Sequence, residues 1–256
     1  MITDPLFYAA ALPAVMILGL SKGGFSGISI LSVPLLALVV SPVQAASITL
    51  PILIVQDVVS VWVFRRAWDR RSLTILLPSA LVGIILGYLL AAYVSAGAVE
   101  LAIGLTSVVF GSRYLWVHWR GIVRPHGSSD LAGIAWGTVS GFTSQIAHAG
   151  GVPFQLYMLP KKFERDVLIG TSALYFAAVN WMKVPFYFAL GQFTRANMAT
   201  SVVLFPLAVV STIVGARVVR SMSGERVYVI LYVLLVLVGM KLTYDGAASL
   251  LAKPSG

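Results

Sequence analysis

The sequence predicts an all-α polytopic membrane protein built as two inverted-topology repeats of about five helical elements each, with the first two of each half short, broken or re-entrant. Three observations carry that prediction. Of 256 residues, 59% are hydrophobic and only 11% charged, with a mean hydropathy of +0.92; soluble domains carry about 25% charged residues. Apolar stretches separated by charged or Pro/Gly punctuation follow one another along the whole chain. Each half also carries a polar, glycine-rich break in a corresponding place. Lipid cannot hydrogen-bond an unwound backbone, so such a break survives only against protein or a polar cavity.

The first half reads as elements at 6–20, 28–40, 45–64, 73–93 and 97–117. Its break is Gly19-Leu20-Ser21-Lys22-Gly23-Gly24-Phe25-Ser26-Gly27, running into Ser32-Val33-Pro34. The second half reads as 131–146, 150–159, 167–188, 197–219 and 227–245. Its break is Gly137-Thr138-Val139-Ser140-Gly141-Phe142-Thr143-Ser144-Gln145, continuing through His148 and Gly150-Gly151 into Val152-Pro153. Segments of 10–16 residues reach at most about 24 Å, less than the roughly 30 Å hydrocarbon core. Each short pair is therefore expected to be a hairpin with its tip inside the membrane, or a broken helix, while the other six elements are long enough to span. Residues 121–130 form the connecting loop between a first membrane repeat, 1–120, and a second, 131–256.

Register supports the repeat. Val33-Pro34 matches Val152-Pro153; Ser47 precedes Gln56 by the interval that separates Thr171 from Asn180; Pro78 precedes Gly87 as Pro206 precedes Gly215. Of the 18 Lys and Arg residues, thirteen fall in four clusters: Arg65, Arg66, Arg70 and Arg71; Arg113, Arg120 and Arg124; Lys161, Lys162 and Arg165; and Arg217, Arg220 and Arg226. If these clusters are cytoplasmic, both termini fall outside, the third element runs inward and its counterpart, the eighth, runs outward. The N-terminus, with Asp4 and Pro5 and no basic region, does not read as a cleavable signal peptide.

Composition also limits the chemistry. The net charge of +9 is read as loop charge that orients helices, not as a nucleic-acid surface. The chain has no cysteine, which removes disulfides, thiol catalysis and thiolate metal sites. The three histidines are at 118, 126 and 148, the first two placed in a loop, so neither a metal site nor a cofactor is expected. Ser140 or Ser144 with His148 superficially suggests a nucleophile and base, but no acidic third member lies nearby, so no catalytic residue is assigned. No phosphate-binding Gly-x-x-x-x-Gly-Lys-Ser/Thr loop occurs, so any transport is secondary.

The pattern Gly23-Gly24-Phe25-Ser26-Gly27 … Val33-Pro34-Leu35-Leu36, matched by Gly150-Gly151-Val152-Pro153, resembles the TauE/SafE sulfite exporter family from about residue 5 to 245. Lys22 before Gly23-Gly24 departs from the run of consecutive glycines often found at this turn. The resemblance implies a multi-pass protein of the bacterial cytoplasmic membrane that exports or takes up sulfite, an organosulfonate such as sulfoacetate, or a related anion, with export the favoured direction. Its partners are then the small anionic substrate and the lipid bilayer, with the oligomeric state open, a homodimer included. A channel, a carrier of another anion such as a carboxylate, and an intramembrane enzyme stand as alternatives.

An oxyanion stripped of water needs dense donors and positive charge, which half-helix N-termini supply. The candidate substrate-binding residues are Ser21, Lys22, Gly23, Gly24, Ser26, Gln56, Ser144, Gln145, His148, Gly150, Gly151 and Asn180, with Ser140 and Thr143 as further hydroxyls. The glycines admit close approach of backbone to ligand, although Gly19/Gly23, Gly83/Gly87 and Gly137/Gly141 also have helix-packing spacing. Gln56 and Asn180 can equally be interhelical glue. Asp57 is the coupling candidate, or else the partner of Lys22 or Lys183. Lys183 is a secondary candidate that can snorkel to the interface, so loss of Lys22 is expected to weaken transport more than loss of Lys183.

Overall fold

The computed structural model describes residues 1–22, 28–93, 95–120, 129–218 and 225–251. They form α1 (Pro5–Lys22), a 3₁₀ turn (Ile28–Leu31) leading into α2 (Ser32–Ala37), α3 (Pro42–Phe64), α4 (Arg70–Tyr93) and α5 (Ala96–Arg120). After the connecting loop come α6 (Asp130–Ala147), α7 (Gly151–Met158) with a 3₁₀ turn (Leu159–Lys161), α8 (Arg165–Ala189), α9 (Arg195–Val218) and α10 (Glu225–Leu251). Among the described residues there is no strand, and seven helices (α1, α3, α4, α5, α8, α9 and α10) are long and apolar enough to cross a bilayer. The protein is an all-α polytopic membrane protein.

Several helices begin one to three residues before the apolar runs, because capping side chains add a polar first turn. Asp4 accepts from Leu6 N, Ser41 from Gln44 N, Asp69 from Ser72 N, Ser95 from Ala98 N, Ser129 from Ala132 N and Thr194 from Asn197 N. Each bond satisfies a backbone donor that the helix leaves open.

Three expectations are corrected. The first element is not short: α1 has 18 residues, about 27 Å at the helical rise, because Pro5 is tolerated in the first turn and the helix carries Ser21 and Lys22. The second break is narrower than its composition suggests, since α6 runs unbroken through Gly137–Gln145. Thr138 and Thr143 donate to the carbonyls of Ile134 and Val139, at 2.9 and 2.8 Å, so their hydroxyls are absorbed without unwinding the helix. The interruption is confined to residues 148–150. His118 belongs to the last turn of α5 rather than to a loop. Of the first break, Gly19-Leu20-Ser21-Lys22 is helical, the last turn of α1; the remainder, 23–27, with candidates Gly23, Gly24 and Ser26, lies outside the described residues, as do His126 and residues 121–128 of the expected connecting loop.

The helix pairing can be followed through contact register. α1 runs parallel to α9: Ile2 N donates to Thr200 Oγ1 and Ser211 Oγ to Val15 O. α3 is parallel to α9 through Gln44–Asn197 and Ser201–Ile48. In the other half, α6 runs parallel to α4, with Gly137 on Ser79 and Gly87 on Gln145. α8 is parallel to α4 through Thr171–Asp69 and the Phe186–Tyr88 rings. By contrast, α3 and α8 are antiparallel, joined by Asp57–Asn180 and Ser47–Gln192. So are α5 and α10, where Gly111 meets Val236 and Gly246 meets Leu101. These directions are the ones an inverted repeat would have.

Small residues set these crossings, as expected where lipid removes the hydrophobic drive between helices. A Cβ on Gly137 would lie 2.8 Å from Ser79 Cβ, and one on Gly239 2.8 Å from Ser107 Cβ. Large apolar side chains face outward instead, Trp62, Leu81, Leu89, Trp119, Val202 and Leu237 among them. Arg65 lies 5.4 Å from the Trp62 ring and Arg120 5.4 Å from the Trp116 ring, placing aromatic anchors beside basic clusters. Val43→Cys and Ala96→Cys are expected to react with an impermeant maleimide from one face of the membrane, and Trp68→Cys and Phe163→Cys from the other. Reaction at 68 and 163 from opposite faces would exclude this arrangement; the cysteine-free chain gives no background.

Candidate functional site

The ends of α1 and α6 and the first turn of α7 meet the middles of α3 and α8 around a cavity of about 30 Å³, enough for a water molecule or two. Its walls include Ser21 and Lys22 from α1, Leu53 and Ser60 from α3, Ser144 and His148 from the α6 end, Gly151 from α7, and Ser172, Phe176 and Asn180 from α8.

Two charged assemblies lie at this junction. In the first, Lys22 Nζ forms an ion pair with Asp57 Oδ1, and Asn180 Nδ2 donates to Asp57 Oδ2 at 2.6 Å. The Lys22 ammonium sits 5.4 Å from the Phe176 ring centroid, and Ser60 Oγ donates to Lys22 O. This assembly ties α1, α3 and α8 together and balances its own charge.

The second assembly centres on Lys183, which has 0% exposure. Its Nζ lies 3.2 Å from Ser144 O, 3.1 Å from Ser144 Oγ and 2.6 Å from His148 Nδ1. No carboxylate lies within ion-pair distance of it among the described residues. With both lysines protonated, the cluster carries one positive charge that no acidic side chain cancels.

His148 holds this assembly in place through an unusual backbone. It ends α6 in the left-handed conformation, φ 51° and ψ 27°, where glycine is the usual choice. A side chain at that position bridges two helices: its Nε2 faces Ala46 O of α3 at 2.9 Å and its Nδ1 faces Lys183 of α8. Strain of this kind persists where surrounding bonds over-determine it. Just beyond, α7 starts at Gly151 with no side-chain cap; Pro153 has no N–H and Phe154 N donates to Gly150 O, so the donors the first turn leaves for a ligand are those of Gly151, at the cavity, and Val152. Gly150 is needed for packing, because a Cβ there would lie 2.7 Å from Ser140 O and 3.0 Å from Ser144 Cβ.

A family model described as Sulfite exporter TauE/SafE matches residues 11–242. The chain belongs to the TauE/SafE sulfite exporter family. No curated protein and no solved structure matched it. It is therefore a member of a membrane transporter family for sulfite-type anions.

In this TauE/SafE protein the structure gathers Ser21, Lys22, Ser144, His148, Gly151 and Asn180 at one cavity. Gln56 stays outside it and ties α3 to α1 by donating to Val15 O at 3.3 Å. Gln145 faces a second cavity of about 300 Å³, lined also by Val43, Ala46, Leu90, Tyr187 and Gln192. Tyr187 OH donates to Gln145 O, and the Tyr187 ring stacks on His148 at 6.0 Å, so this layer separates the two cavities. Lys183 does not snorkel: it points into the protein and is held by Ser144 and His148. Neither serine is activated by His148, since Ser140 Oγ donates to Gly150 O and both imidazole nitrogens are engaged elsewhere.

Sequence reasoning missed Ser60, Ser172 and Phe176. The signal was present: 172, 176, 180 and 183 follow the spacing of one helical face, as do 53, 56, 57 and 60.

Proposed function

We propose that this protein is a secondary transporter that exports a small sulfur oxyanion, sulfite or an organosulfonate such as sulfoacetate, across the bacterial cytoplasmic membrane by alternating access. The observation that carries the reading is Lys183, a fully buried amino group with neutral partners only, beside the first turn of α7. Buried charge is costly unless it is compensated, and an arriving anion supplies the missing countercharge. Ser144, His148 and the backbone donors of α7 supply its hydrogen bonds. The small inner cavity must widen to take an anion. The larger cavity across the Tyr187 layer gives the substrate a second place of access. The antiparallel directions of corresponding helices support exchange between two inverted halves.

A thermal-shift screen of purified protein tests the substrate class. A ligand at 100 times its Kd stabilises the folded state by about 2.7 kcal/mol. Sulfite, sulfoacetate or thiosulfate is expected to raise the melting temperature, with sulfate, taurine and acetate giving less. Equal stabilisation by acetate would remove the sulfur-oxyanion assignment. In proteoliposomes a carrier saturates and shows counterflow, whereas linear, counterflow-free flux would identify a channel.

A further inference from the structure

We propose that the coupling ion is a proton and that its binding site is the Lys183–His148 pair. This rests on the transport reading above and adds to it the ion that moves with the anion.

The geometry fixes where protons can sit. Ala46 O can only accept, so His148 Nε2, 2.9 Å away, carries hydrogen and donates. In a neutral imidazole Nδ1 is then bare, and it accepts from Lys183 Nζ at 2.6 Å. An imidazolium would set a second N–H against the ammonium across the same gap, which leaves room for one proton between the nitrogens. The pair therefore has two charge states: +1, with the extra proton held between Lys183 Nζ and His148 Nδ1, and zero, an amine beside neutral imidazole. The remaining partners of Nζ, Ser144 O and Ser144 Oγ, are compatible with both.

The neighbouring titratable groups do not offer an equivalent site. Lys22 at the end of α1 is closed against Asp57 of α3, and the second oxygen of Asp57 accepts from Asn180. Asp57, the coupling candidate of the sequence, thus has both oxygens occupied by donors. Tyr187 of α8 uses its hydroxyl proton to bond Gln145 O. From α7, Gly151 brings only backbone to the cavity.

An ammonium at Lys183 surrounded by neutral dipoles is stabilised when an anion enters, and the anion is held more tightly when the ammonium is present. Binding linkage makes the two effects equal. The step balances: the Lys183 amine takes one proton from solvent on the loading side, and the ammonium returns it on the release side as the anion leaves. One proton then accompanies each anion, so a dianion such as thiosulfate or sulfoacetate crosses with one net negative charge.

Calorimetric titration of purified protein with thiosulfate and with sulfoacetate, in two buffers of different ionisation enthalpy, counts the protons taken up. Neither probe changes its own charge near neutral pH. The expected result is about one proton per anion bound by the wild-type protein, no uptake by Lys183→Arg, which keeps a permanent cation, and uptake retained by Asp57→Asn. Anion binding by the wild-type protein without proton uptake overturns the proposal and leaves the transport reading standing, whether or not the variants fold. Uptake that persists in Lys183→Arg and vanishes in Asp57→Asn overturns it in favour of the carboxylate. If neither probe nor sulfite binds at all, the transport reading falls, and this proposal with it.

Discussion

Lys183→Met is expected to reduce sulfur-oxyanion affinity by at least roughly 100-fold while shifting the melting temperature by only a few degrees. Removing the charged partner of a buried anion costs about 3 kcal/mol or more, and each 1.4 kcal/mol is about tenfold in affinity. Stability is spared because Lys183 has no carboxylate to strand, and a methionine of similar length fills the space left by its stem. The loss is confined to a donor set on neutral acceptors, Ser144 O, Ser144 Oγ and His148 Nδ1. Ligand-dependent melting of the two proteins, compared at several thiosulfate concentrations, separates affinity from intrinsic stability. Affinity within tenfold of the parent would make Lys183 a structural residue and leave recognition to the α7 backbone. The order is opposite to the one the sequence suggested, in which Lys22 dominates.

That reversal shows what the residues could and could not reveal. All ten helical elements were legible because apolar runs in a membrane protein are long and their punctuation is charged. Their first turns were less legible, since Asp69, Ser95 and Ser129 cap them with polar residues that hydropathy places in loops. The second break was read too wide because Gly, Ser and Thr in α6 look like unwinding. In fact Gly137 and Gly141 let α6 pack on α4, and the hydroxyls of Thr138 and Thr143 fold back on their own helix. The polar cluster was legible as a set of residue types but not as a set of pairs. Asp57 had two lysine partners open to it, and only the three-dimensional crossing of α1, α3 and α8 assigns it to Lys22. Lys183 was misread because its distance from a helix end says nothing about the face it occupies. Its spacing from Ser172, Phe176 and Asn180 places it on the inward face.

Asp57→Ala is expected to destabilise the folded protein by about 3–5 kcal/mol, the cost of stranding one partner of a buried ion pair, and the double variant Lys22→Met/Asp57→Leu to recover most of that loss. With Asp57 gone, the Lys22 ammonium, 9% exposed, keeps the face of the Phe176 ring as its contact among the described residues, and Asn180 loses its acceptor. A cation–ring contact supplies about 2 kcal/mol at most when desolvated, less than the lost ion pair. At roughly 2–4 °C per kcal/mol for a chain of this size, the single variant should melt about 10 °C lower or fail to accumulate. Removing both charges leaves no ion to strand, and apolar side chains can fill the volume, an exchange that is often neutral or stabilising. Thermal melts of Lys22→Met, Asp57→Leu and the double variant close the cycle, and a coupling energy of several kcal/mol is the expected outcome. If Asp57→Ala melts within a degree or two of the parent, the pair is not what joins α1 to α3 and α8. The same double variant separates structure from recognition: with Lys183 intact, its thiosulfate affinity should fall by no more than about tenfold, because Lys183 and its neutral partners are still in place.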